Sequence, residues 1–145
     1  MQYSVGRIGR VVVLKLEDDE DILTSLQTLA QKERIETALF FVIGNLKKGS
    51  LVSGAERAEI PVVPIWQHFR TNHEILGVGT IFQMEAQPKV HLHAALVHGD
   101  ELMAGCLREK SEVFLVAELV VLEILDISAR RAKDEKTGFN LLNVD

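Results

Sequence analysis

A chain of 145 residues, 47% apolar and 26% charged, is one globular domain able to bury about 68–70% of its unfolded surface. Its net charge of −5 argues against a general affinity for nucleic acid, which depends on lysines and arginines neutralising phosphates. A single cysteine excludes an internal disulfide and suits a reducing, cytoplasmic setting. No basic segment followed by an apolar stretch opens the chain, so no signal peptide is expected. The most apolar run, residues 113–125, is broken by Glu118 and Glu123 and is too short to span a bilayer.

In chain order, the β-branched residues 11–16 predict a first strand that starts near Arg7. The acidic run 17–21 then predicts a helix start, with Asp18 or Asp19 accepting from the free N–H groups. Ile22, Leu23, Leu26, Leu29 and Ala30 recur at helical spacing and form one apolar stripe facing a core. Residues 35–43 predict a second strand stopped by Gly44-Asn45, and residues 46–54 a shorter one after a turn at Lys47-Lys48-Gly49. Residues 55–72 carry Pro61 and Pro64, which predicts an irregular loop or an edge segment.

Strand character resumes over residues 73–82, where Gly77 and Gly79 permit a bend or a close backbone approach. Another strand follows over residues 89–97, and residues 113–127 favour a strand over a buried helix. Strict alternation divides that last strand into Val113, Leu115, Ala117, Leu119 and Val121 on one face and Phe114, Val116, Val120, Leu122 and Ile124 on the other. Both faces are apolar. An antiparallel sheet ordinarily keeps one polar face for solvent, and only one good helix is available as cover, so an oligomer is expected. The tail, residues 127–145, is basic through Arg130, Arg131, Lys133 and Lys136, read as solvated surface. It ends with apolar residues expected to dock back on the body.

The pattern that carries chemistry is His91-Leu92-His93 with Cys106 thirteen residues beyond. On a strand, positions two apart leave the same face, so both imidazoles point one way. A thiolate from a neighbouring strand supplies a third ligand of a type zinc accepts, at roughly 2.0–2.1 Å for nitrogen and about 2.3 Å for sulfur. The competing reading is a pair of hydrogen-bonded histidines on a half-buried strand, with Cys106 a small buried hydrophobe. His73 and His98 are candidates for a fourth ligand. Gly77-Val78-Gly79-Thr80 lacks the spacing of a phosphate loop.

The chain resembles the plants-and-prokaryotes-conserved (PPC) domain in its stand-alone prokaryotic form. The resemblance rests on Gly9-Arg10-Val11-Val12-Val13-Leu14-Lys15-Leu16, on residues 38–44, and on Glu74-Ile75-Leu76-Gly77-Val78-Gly79-Thr80-Ile81. It continues through His91-Leu92-His93-Ala94-Ala95-Leu96 and Ala104-Gly105-Cys106-Leu107 to Val113-Phe114. It implies an α+β single domain over residues 1–145, a mainly antiparallel sheet of about seven strands with one main helix, assembled as a homotrimer. The family pattern more often has histidine at the position of Cys106. Plant relatives attach the domain to AT-hook segments, but here Gly9-Arg10 is followed by Val11 rather than proline. Direct DNA binding is therefore not expected.

Three functions follow in order. The first is a non-catalytic homotrimeric binding or scaffold module holding zinc at His91, His93 and Cys106, for an unidentified protein or small-molecule partner. The second is a small metal-dependent enzyme with Glu74 as base. The third is a DNA-associated regulator.

Overall fold

The β-branched run at Val11–Val13 extends in both directions into strand β1 (Arg7–Glu17) of the computed structural model, which describes residues 1–144. Helix α1 (Ile22–Glu33) follows, then β2 (Ala38–Ala55), β3 (Pro64–Phe69), β4 (His73–Met84), β5 (Gln87–His98), β6 (Glu101–Leu107) and β7 (Glu112–Leu125). These seven strands form one antiparallel sheet in the order β1-β7-β2-β4-β5-β6, with β3 on the far half of β2. Strand β6 returns to pair with β2 at Leu51 and Val52, so β2, β4, β5 and β6 close a ring. Strands β8 (Ala129–Lys133) and β9 (Asn140–Val144) make a separate hairpin that packs on β4.

The helix begins at Asp21 rather than at Asp18 or Asp19. Asp21 accepts from the backbone N–H of Thr24 at 2.8 Å and, with its other oxygen, from that of Ser111 at 2.7 Å. Asp18 instead receives the backbone N–H of Leu115 and the ammonium of Lys47, each at 3.0 Å. The acidic run thus serves two tasks, and only its last member caps the helix. Ile22, Leu26 and Ala30 are buried against the sheet, with Leu23 and Leu29 at the edge of the same stripe.

Gly44-Asn45 does not end a strand. Strand β2 runs unbroken for 18 residues, and the irregularity appears as a bulge against β7. Gly44 pairs with Ala117 and Leu46 with Val113, so β7 carries two extra residues there. Gly44 has φ +136°, and a Cβ on it would lie 2.4 Å from the carbonyl oxygen of Val116, so no other residue fits. The bulge also overturns one face assignment. Leu115, with φ +61°, is 63% exposed while Val113, Ala117, Leu119 and Val121 are buried.

The inner face of the sheet, with Phe40, Val42, Ile81, Leu92, Leu96 and Leu119, is covered by α1 and forms the core. The outer face is equally apolar but open. One register row across it reads Val13, Val120, Phe41, Val78, His93, Cys106, each residue the cross-strand partner of the next. Of these, Val13, Val120, Phe41 and Val78 are 40–78% exposed.

Candidate metal centre

His91 and His93 sit two apart on β5, on the outer face, and β6 brings Cys106 opposite His93. The ligand atoms of the three residues lie within 4.8 Å of one another. The two Nε2 atoms are 3.2 Å apart, which matches the separation of about 3.3 Å between two nitrogens in a tetrahedral zinc site. The donor set therefore suits a borderline-soft divalent ion.

Close packing positions the pair. Thr80 of β4 is opposite His91, and Gly79 lets the backbones approach, since a Cβ there would fall 2.6 Å from the His91 carbonyl oxygen and 2.2 Å from the Phe40 ring. Cys106 is buried, His93 exposed and His91 intermediate.

The C-terminal hairpin adds what sequence reasoning missed. Arg131 of β8, read from the sequence as solvated surface, places Nη2 2.8 Å from Nδ1 of His91 and Nη1 3.1 Å from the carbonyl oxygen of Asn140. A guanidinium has only donors, so Nδ1 of His91 is the acceptor and carries no proton. Burial, then the nearby Arg131, hold the His91 pKa down to about 4. Its remaining proton is on Nε2, directed at Nε2 of His93. A metal on Nε2 of His91 would move that proton to Nδ1, where a metal-bound histidine ordinarily donates to an acceptor. The Arg131 contact and such a metal thus exclude one another. Burial raises the pKa of Cys106, against the opposing pull of Arg108 and Arg131, so its ligation would require loss of a firmly held proton.

The other candidates lie elsewhere. His73 and His98 meet each other, ring centroids 5.4 Å apart, and each Nδ1 contacts a backbone oxygen. His98 is five residues along β5 from His93, about 16 Å at strand spacing. Glu74 pairs with Val97 at that same end, so it cannot serve as a base for the cluster. Among the described residues, no helix is long and apolar enough to cross a membrane.

Comparison with known proteins finds the profile of the Plants and Prokaryotes Conserved (PCC) domain over residues 3–125. No curated protein matches the chain significantly. Among solved structures, a metal-containing protein from Archaeoglobus fulgidus is similar at 22% identity, with 99% of each chain covered and a TM-score of 0.85. A plant- and prokaryote-conserved protein from Pyrococcus horikoshii is similar at 26% identity over 99% of this chain and 97% of that one, TM-score 0.81. A Bacteroides thetaiotaomicron chain named a "putative DNA binding protein" is similar at 21% identity over 97% of each, TM-score 0.81.

Proposed function

We propose that this chain, which belongs to the Plants and Prokaryotes Conserved domain family, is a non-catalytic homotrimeric binding module that holds a zinc ion at His91, His93 and Cys106. One observation carries the reading: the row of exposed apolar side chains on the outer face runs directly into His93 and Cys106. A sheet face this apolar is ordinarily covered, and in this chain α1 covers only the other side. A second copy of the same face, repeated around a closed ring, supplies the cover. The likeness to a metal-containing protein of the same fold supports a metal at the imidazole pair. Bound there, zinc would cross-link β5 to β6 and act as a Lewis acid.

This chain's own residues do the following. Arg131 holds the His91 ring by Nδ1, His91 directs its Nε2 proton at His93, and the Cys106 thiol faces the Leu107 carbonyl at 3.7 Å. The excess of negative charge works against duplex DNA as the partner.

Metal analysis of protein purified without chelators, together with sedimentation velocity across a micromolar concentration series, tests both halves. Stoichiometric zinc that is lost in His93→Ala and Cys106→Ser, and a trimer mass, are expected. A zinc-free protein removes the metal, and a monomer removes the assembly.

A further inference from the structure

Beside the two imidazoles, under the C-terminal hairpin, lies a cavity of about 400 Å³, within the range of small-molecule sites. Its charged walls are all cationic. Lys89, Arg108 and Arg131 line it, and no carboxylate does. Among the described residues none of the three forms an ion pair with an acidic side chain. Lys89 and Arg108 are exposed and Arg131 half-buried, so together they give the cavity a positive potential that favours an anion. Arg131 also keeps unused capacity. Its Nη atoms are engaged, but its Nε–H is buried with no partner among the described residues. A buried donor left unpaired is destabilising. Apart from the two imidazoles and Asn140, the rest of the wall is apolar, with Phe139 and Leu141 of the hairpin region 39% and 43% exposed.

We propose that this cavity binds a small organic anion, with an oxyanion head group on Arg131 and Arg108 and an apolar body against Phe139 and Leu141. A planar guanidinium presents paired N–H groups that match either a phosphate or a carboxylate, and charge-assisted bonds of this kind are the stronger class. The hairpin provides both the cation and the apolar wall, so a ligand would fasten the tail to the sheet. The proposal rests on the reading of this site as a binding module and needs no metal, although a metal on His91 would displace Arg131 from Nδ1 and so alter the same wall.

Calorimetric titration of the native oligomer tests it, using protein as purified and protein dialysed against chelator. The probes are phenyl phosphate, benzoate, inorganic phosphate and benzyl alcohol. Saturable binding of at least one aryl anion at or below about 1 mM is expected, with inorganic phosphate weaker and benzyl alcohol silent. Whichever aryl anion binds more tightly identifies the head group. Arg131→Gln should weaken the tighter one at least about tenfold, the loss of a charge-assisted hydrogen bond. Arg108→Gln, at an exposed position, serves the same purpose should the first variant fold poorly. Phe139→Ala should weaken the aryl anion and leave inorganic phosphate unchanged. No saturable heat from either aryl anion up to about 10 mM, or affinities unchanged in both arginine variants, overturns the proposal. Anion binding by protein that holds no zinc as purified without chelators would sink the metal reading and leave this proposal standing.

Discussion

Phe41 is the point on the outer face where the proposed assembly is most exposed to test. It is 48% exposed and stands between Val120 and Val78 in the register row. For an aromatic side chain of roughly 200 Å², that exposure leaves on the order of 100 Å² for a partner to cover. At ~25 cal/mol per Å², complete cover is worth about 2.5 kcal/mol per subunit. Phe41→Ala therefore weakens each contact by roughly 60-fold, since about 1.4 kcal/mol is a factor of ten. Phe41→Asp weakens it further, because a carboxylate would be desolvated without a partner. The inner face is untouched by either change, so the fold persists. Sedimentation velocity over a concentration series should show the wild type assembled at concentrations where Phe41→Asp is monomeric, with matching circular dichroism. If Phe41→Asp sediments like the wild type at every concentration, the outer face is not the contact surface and the argument from exposed apolar rows fails.

Other consequences follow from the core and its ties. Leu26 is fully buried under the sheet, so Leu26→Ala should cost ~2–5 kcal/mol in urea unfolding, and a cost near zero would mean the stripe does not pack. Gly79→Ala would drive a methyl into the Phe40 ring and the His91 carbonyl, and overpacking of that kind costs about 1–3 kcal/mol, read as a lowered denaturation midpoint. Glu123 is buried, and Arg10 bonds to both its oxygens at 2.8 and 2.9 Å, holding its carboxyl below the ordinary carboxylate range. A depressed native pKa stabilises the fold fully above the unfolded value of about 4.3 and loses that contribution as pH falls through the native value. The stability gap between wild type and Glu123→Gln should thus narrow on acidification below about pH 5, and a gap independent of pH would remove the ion pair from the account.

Periodicity made the long elements readable. The first strand, the helix stripe and the strand pairs around Gly77 and His91 appear where alternation or helical spacing places them, because each has one face against a common core. The HxH spacing likewise puts two imidazoles on one face, as the geometry of a strand requires. What sequence could not supply was context. Gly44 reads as a stop, yet a bulge in the neighbouring strand lets the chain continue through it. Strand β6 had no separate signal beyond its glycine and cysteine, since it is short and defined by its pairing to β5 and β2. Arg131 looked solvated because it lies in a basic run, and only the hairpin's fold reveals that it faces His91. The apolar residues after Gly138 were the one available hint, since a segment that docks brings its polar neighbours with it.

The outer face solves two covering problems in different ways, and the division follows the chemistry of the side chains. Near β5 and β6, where the face carries imidazole and thiol groups, the chain's own tail lies over His91 and Cys106, and its Arg131 donates to Nδ1 of His91. An intramolecular hairpin can aim a hydrogen bond at one chosen atom, as Arg131 does at His91. Over β1, β7 and the first half of β2 the same face offers Val11, Val13, Phe41 and Val120, which require only shape and exclusion of water. A second copy of the same surface satisfies that requirement without any directional partner. The two regions meet at Val78, which stands between Phe41 and His93 in the register row. Two strand spacings, roughly 10 Å, therefore separate the centre of the proposed contact from the ligand cluster.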